Sequence, residues 1–335
     1  MDAVGYALAL KAAAQAALKR TLMGPSHAAS SPAFVLLDAD RAYAIGGHTA
    51  STTRVNSVRE LNLTTNVVTT KANFGGGTFG GQVWNNVAVW DGKIYTFAGT
   101  IAGAQSDVVW MYDPGLNTWT SKGAIPGVSA SYTQPMGAET IGDRIYYIAG
   151  TNNSINAPTK IYNPATNTYD ADGAVIPVEM IRGTTAKLNG KLYCYTREAI
   201  LYEYDPVLNT WTTKASNAAI GLPAGYSSAD HPAAAGLEST DRIYVSGTDN
   251  GANEKFFAEW IAATNTWAAL GDPPAIAEAE RVGGADSDGE GAVWFGPGSD
   301  TSSHSNRYLY PWGYQAVVGK AEIDRLKAWL ATTGD

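Results

Sequence analysis

Residues 93–119 read KIYTFAGTIAGAQSDVVWMYDPGLNTW. The stretch opens with a short strand-like run that ends at Gly99, and a polar segment follows. A second run closes on Tyr112-Asp113-Pro114, and a tight turn through Asn117 leads to Trp119. Proline presets φ in such a turn, while Asp and Asn bond their own backbone and tolerate left-handed geometry. The unit therefore predicts strands joined by one polar loop and one tight hairpin.

Working outward, the same unit recurs along the chain. The first-strand aromatic returns as Tyr43, Tyr95, Tyr146, Tyr193, Tyr244 and Trp294, at intervals of 52, 51, 47, 51 and 50 residues. The closing residue returns as Val68, Trp119, Tyr169, Trp211 and Trp267, each seven positions after Leu61, Tyr112, Tyr162, Tyr204 or Trp260. Between them lie the turns NLTTN (62–66), DPGLN (113–117), NPATN (163–167), DPVLN (205–209) and IAATN (261–265). A period near 50 suits four short strands per repeat, and a lone four-stranded sheet needs neighbours to cover both faces. The expected fold is all-β: a six-bladed propeller with short N- and C-terminal helices.

These features resemble the kelch family of β-propellers, which pairs a glycine doublet with a Tyr-x6-Trp spacing. The doublet stands here as Gly46-Gly47, becomes Ala98-Gly99, Ala149-Gly150 and Ser246-Gly247, and is replaced by Thr196-Arg197 after Tyr195. The resemblance spans residues 34–318. It implies a fold, and propellers carry many unrelated functions.

Blade one is predicted with strands at 34–38, 42–45, 57–61 and 67–71. Asp91-Gly92, Gly142-Asp143, Asn189-Gly190, Thr240-Asp241 and Asp288-Gly289 read as inner hairpin turns. The segment DSDGE (286–290) holds that turn position and lacks the register of a calcium loop. Trp119 and Trp211 are expected as wedges between blades, their removal costing ~3–5 kcal/mol. Blade six is expected as a contiguous segment, 292–295, 307–310 and 314–318, with no strand shared between the chain ends. The domain reading is a helix in 1–25, a propeller over 26–318, and an amphipathic helix in 319–335. Residues 2–22 are Ala-rich with apolar positions at helical spacing, and Ile323, Leu326 and Leu330 share one face of 320–331.

Composition narrows the partners. The formal charge is −8 and Lys and Arg nowhere cluster, which disfavours nucleic acid and anionic membranes. Glycine is high at 36 residues and charged residues are scarce at 16%, so Thr, Asn, Ser and Gln carry the polar surface. The single Cys194 allows no internal disulfide and sits in an apolar run. No apolar run is long enough for a membrane span. The start lacks the basic segment and unbroken apolar core of a signal peptide.

Function is written more faintly. The longer loops (100–107, 151–159, 297–305, 122–137, 173–185, 214–232 and 268–284) fall at one end of an up-and-down propeller, the predicted binding face. Its candidate residues are His48, Tyr132, Arg182, Arg197, Tyr226, Asp230, His231, Asp249 and His304. Tyr rings and amides there suit sugar contacts. The four histidines show no metal-ligand spacing, no nucleophile or phosphate-loop motif occurs, and no catalytic residue, metal or cofactor is expected. Tyr193 and Tyr195 flank Cys194 on the opposite strand face, which argues against a Tyr–Cys copper oxidase.

The opening AVGYALALK resembles the starts of some phage tail and virion-surface proteins. The resulting expectation is a non-enzymatic binding or structural propeller of a multi-subunit surface assembly, a phage tail or virion appendage. It would contact other subunits through its terminal helices and a host glycan through its long loops, with homo-oligomers among the assemblies. It would be made in the cytoplasm and reside on a virion or extracellular surface. The alternative is a kelch-type sugar-active enzyme such as a sialic acid epimerase, built on Arg182, Arg197 and a loop histidine.

Overall fold

The structure is a computed structural model. It describes residues 18–20, 32–49, 53–65, 67–75, 86–101, 104–128, 137–148, 158–177, 183–196, 199–216, 232–248, 255–271, 280–281, 285–287, 292–295, 299–300 and 312–315. Among them the architecture is an all-β propeller of antiparallel sheets. Five blades are each cut from one contiguous segment. Blade I holds Ala33–Leu36, Arg41–Ile45, Val58–Asn62 and Val68–Lys71. Blade II holds Val87–Trp90, Lys93–Ile101, Ala104–Asp113 and Thr118–Ala124. Blade III holds Gly137–Ile141, Arg144–Ile148, Pro158–Asn163, Thr168–Tyr169 and Gly173–Val175. Blade IV holds Thr184–Leu188, Lys191–Tyr195, Ile200–Asp205 and Thr210–Ser216. Blade V holds Ala233–Leu237, Arg242–Thr248, Lys255–Ile261 and Thr266–Gly271.

The expectation of six self-contained blades is corrected. The remaining four-stranded sheet is composite: Ala285–Ser287, Ala292–Phe295, Trp312–Gln315 and, on its outer side, Leu18–Arg20. Leu18 pairs with Tyr314 and Arg20 with Trp312. The strand beside Ala292–Phe295 is thus Trp312–Gln315, where 307–310 had been expected. The N-terminal helix is corrected as well, because Leu18–Arg20 is extended. Local helix propensity yields to a vacant sheet edge, whose backbone groups a strand satisfies and a helix does not. The rest of that predicted helix, and the whole C-terminal helix at 320–331, lie outside the described residues.

Local turn chemistry builds the blades as predicted. Asp91 and Gly92 both have positive φ (49° and 66°), as do Asn189 and Gly190 (51° and 71°), the pairing that two-residue hairpins need. In the outer turns Asp113 Oδ1 accepts the Gly115 and Leu116 amides, and Asp205 Oδ1 those of Val207 and Leu208. Asn117, Asn167, Asn209 and Asn265 close these turns with φ between 51° and 56°. Several expected loops are shorter than predicted. Strand pairing continues to Ile101 opposite Ala104, Gly173–Val175 joins blade III, and Ser299–Asp300 pairs with Glu280–Arg281.

Packing lies between blades. The second-strand tyrosines Tyr43, Tyr95, Tyr146, Tyr193 and Tyr244 are all buried, and most apolar clusters join two neighbouring sheets. The innermost strands pack in a closed cycle: blade I on II, II on III, III on IV, IV on V, V on Ala285–Ser287, and Ala285–Ser287 back on blade I. Hydrogen bonds stitch this cycle. Thr140 Oγ1 donates to the Val89 carbonyl (2.7 Å), Ser287 Oγ to the Gly236 carbonyl (2.6 Å), and the Leu36 amide to Asp286 Oδ2 (3.0 Å). Gly236 is required here, since a Cβ would run into the Lys187 carbonyl.

Further out, a side-chain clamp repeats. The Ala72 amide donates to Asn117 Oδ1 (2.8 Å) and its carbonyl accepts Trp119 Nε1 (3.2 Å). Ala174 is held in the same way by Asn209 and Trp211, and Ala215 by Asn265 and Trp267. Each clamp ties one blade to the next. Trp119 and Trp211 are half-buried and Trp267 is buried, so the first two are less completely wedged than expected.

Candidate functional site

Of the nine residues predicted for the long-loop end, His48 falls within the described residues. Its backbone pairs with Arg54 in a small hairpin, His48–Thr49 against Thr53–Arg54. Tyr132, Arg182, Arg197, Tyr226, Asp230, His231, Asp249 and His304 lie outside them.

The described residues bring a different set together. A cavity of about 240 Å³ lies between the innermost strands, lined by the 37–39 turn and by Glu139, Lys187 and Asp286. Register explains how three separate blades place them. The innermost-strand residue facing the second-strand aromatic is Val35 in blade I, Ala88 in II, Ala186 in IV and Ala235 in V. In blade III that position is Glu139, opposite Tyr146, and in the composite sheet it is Asp286, opposite Trp294. Counted around the cycle of innermost strands, these two are three steps apart, so the carboxylates face each other across the axis at one level. Lys187 stands one residue nearer the tight-turn end in blade IV.

The electrostatics set Glu139 apart. Two other carboxylates of the blades are met by lysines in direct contact. Glu203 takes Lys191 Nζ at 2.8 Å, Lys214 Nζ at 2.9 Å and the Tyr193 hydroxyl at 2.7 Å. Burial opposes its ionisation, yet those hydrogen bonds hold its pKa below the ordinary value. Glu60 likewise takes Lys71 at 3.1 Å and the Tyr43 hydroxyl. Glu139 has the Thr185 hydroxyl at 3.2 Å, while Lys187 acts on it from beyond salt-bridge distance. Burial and the facing Asp286 outweigh that help, and the Glu139 pKa is pushed up to about 8. Asp286 is fixed by the Leu36 amide on one oxygen and the Ser287 amide (2.8 Å) on the other.

Reading the sequence along its loops missed this trio. The available signal was columnar: lining up residues seven to nine positions before each repeat aromatic shows acids at 139 and 286 among small or apolar residues.

Exposed aliphatic side chains mark a second feature. Leu116 (73% exposed), Val207 (92%) and Leu208 (69%) sit at the tips of the outer turns of blades II and IV. Those turns share the ring's tight-turn end, opposite the predicted binding loops.

Cys194 is buried, and burial drives its thiol pKa well above the usual value, leaving it a packing residue. Among the described residues no group of three or more His, Cys, Asp or Glu could hold a metal ion, and no helix is long and apolar enough to cross a membrane.

The fold defines a β-propeller, a class built to hold loops and a central channel on a rigid ring. A family model of the kelch motif matches residues 85–123, which is blade II to within its last residue, and supports a kelch-repeat propeller. No curated protein matches the chain.

Proposed function

We propose that this chain is a binding propeller that serves as a subunit in a larger assembly, its composite sheet acting as a sixth blade that closes the ring. The observation that carries the reading is the exposure of Leu116, Val207 and Leu208 on turns pinned by Asx bonds and by the inter-blade clamps. Ordered aliphatic side chains on rigid tips lose little entropy when a partner covers them, which favours association. The kelch match and the propeller fold support a scaffold that binds proteins. Leu18–Arg20 is occupied in the composite sheet, so this reading moves the main contact from the terminal helices to the turn tips.

The narrower reading places the chain on a phage tail or virion, with a host glycan at the long-loop end around His48, Tyr132, Arg182, Arg197, Tyr226, Asp230, His231, Asp249 and His304. Its support is the Ala-rich opening and the Thr- and Asn-rich surface.

Light scattering tests the assembly. The parent chain is expected above monomer mass at micromolar concentration. Leu116→Ser, Val207→Ser and Leu208→Ser together are expected to return it to monomer with an unchanged melting temperature. A parent that stays monomeric at every concentration overturns self-assembly, and an unchanged mass in the triple variant removes the turn tips from the contact.

A further inference from the structure

Most polar groups lining the cavity between the innermost strands are committed to the protein itself. Asp38 holds the Arg41 guanidinium at 2.6 Å, and Asp286 accepts the Leu36 amide on one oxygen and the Ser287 amide on the other. Thr140 Oγ1 donates to the Val89 carbonyl and Ser287 Oγ to the Gly236 carbonyl. Two groups are left. Glu139 takes one hydrogen bond, from the Thr185 hydroxyl to Oε1 at 3.2 Å, and Lys187 makes no hydrogen bond or salt bridge among the described residues. Of the charges acting on Glu139, Lys187 outweighs Asp286, so the local field favours an anion; burial is what keeps the carboxyl protonated. The cavity therefore offers two donors, the Lys187 ammonium and the Glu139 O–H.

We propose that this cavity binds a small monocarboxylate, one of its oxygens on the Lys187 ammonium and the other on the Glu139 carboxyl. Hydrogen bonds to an ionised acceptor are roughly twice as strong as neutral ones, and the apolar wall of Val35, Val87 and Val89 strengthens them further. At about 240 Å³ the space is smaller than the ~300–1,000 Å³ of pockets that take drug-sized ligands, so the occupant is compact. Lys187 matches one negative charge, and a second would press on Asp38 and Asp286. A cation would meet Lys187 and gain no acceptor from a protonated Glu139. The site is independent of the turn-tip contact.

The site has a proton signature. The groups facing Glu139 are Lys187 and Thr185 from the innermost strand of blade IV, Tyr146 from its own blade, Asp286 from the composite sheet and Asp38 on the lining turn. Val87–Trp90 of blade II brings no charge, and Lys191–Tyr195 of blade IV packs nearby without acting on its ionisation. Below the value near 8, Glu139 carries its proton and donates to the ligand. Above it the carboxylate repels the ligand. Affinity is therefore flat below about pH 7 and falls as pH rises through 8, and binding at about pH 9 takes up a proton from solvent.

Calorimetry with acetate, propionate and lactate tests this against acetamide, propionamide and ethylamine, at about pH 7 and about pH 9. At least one carboxylate is expected to bind about tenfold or more tightly than its amide at the lower pH, and to weaken about tenfold at the higher. Glu139→Gln keeps a donor and loses the ionisation, so its affinity should be the same at both pH values. Lys187→Met should remove the carboxylate's advantage over the amide, while Lys187→Arg retains part of it. Melting curves confirm that the variants are folded. The proposal is overturned if no carboxylate binds at about 10 mM, if the amides or ethylamine bind as well, if Lys187→Met binds like the parent, or if Glu139→Gln keeps the parent's pH dependence.

Discussion

The interface between blades III and IV and the one between blades II and III carry the same Tyr-to-Asn turn, closed by Trp211 in the first and by Tyr169 in the second. Between III and IV, Asn209 Oδ1 accepts the Tyr204 hydroxyl (2.8 Å) and the Ala174 amide (2.6 Å), and Trp211 Nε1 reaches the Ala174 carbonyl at 3.0 Å. Between II and III, Asn167 accepts the Tyr162 hydroxyl at 2.7 Å and no amide of blade II among the described residues. Tyr169 stands where Trp211 would, and its buried hydroxyl has no hydrogen-bond partner there. The ring contact survives: the centroids of Tyr162 and Tyr169 lie 5.1 Å apart and those of Tyr204 and Trp211 5.2 Å, both pairs tilted. Packing and polar clamping are therefore separable. The indole matters for where its N–H points as well as for the area it buries.

The largest effect is expected at Trp267, the most buried of the clamp tryptophans (7% exposed), which also donates to the Ala215 carbonyl at 2.7 Å. Trp267→Ala should cost ~3–5 kcal/mol by denaturant titration, the range for deleting a buried aromatic. Tyr169→Ala should cost less, because no inter-blade hydrogen bond goes with it. Equal losses would mean that burial alone carries the interfaces and that the clamp is incidental.

This ordering also shows what the sequence could reveal. The clamp residues were legible as an aromatic-x6-Trp spacing across a turn that ends in Asn, because all of its determinants lie within eight residues. What they hold was not legible, since Ala72, Ala174 and Ala215 belong to the preceding blade and look like any strand alanine. The composite sheet was hidden for a stronger reason. Leu18–Arg20 sits in an Ala-rich segment whose local preference is helical, and its partner Trp312–Gln315 is almost three hundred residues away. Nothing local encodes such a pairing, and tertiary context overrides propensity. The central trio was obscure in the same way. One charged residue in each of three strands reads as ordinary strand alternation until register puts all three around one axis.

A pair of asparagine variants sharpens the comparison further. Asn209 and Asn167 share nearly the same left-handed φ (53° and 56°), so the strain of placing alanine there is common to both and cancels in the difference. Each loses the tyrosine hydroxyl bond. Asn209→Ala additionally strands the Ala174 amide of the neighbouring blade strand. It should therefore cost ~0.5–1 kcal/mol more than Asn167→Ala, the net worth of one solvent-accessible hydrogen bond. Matching losses in urea unfolding would show that the inter-blade bond contributes nothing net.

The smallest change is the most discriminating, because its sign is at stake. Tyr169→Phe removes a buried hydroxyl that finds no partner among the described residues and keeps the ring against Tyr162. Relieving an unsatisfied polar atom should leave stability unchanged or raise it by up to ~1 kcal/mol. Tyr204→Phe takes away a hydroxyl that is bonded to Asn209 and should lower stability by ~1 kcal/mol. The same atom is thus deleted from two neighbouring blades with opposite expected outcomes, and side-by-side melting curves read the difference directly. If Tyr169→Phe destabilises as Tyr204→Phe does, its hydroxyl has a bonding partner after all, water included, and the II–III interface is clamped by a second route.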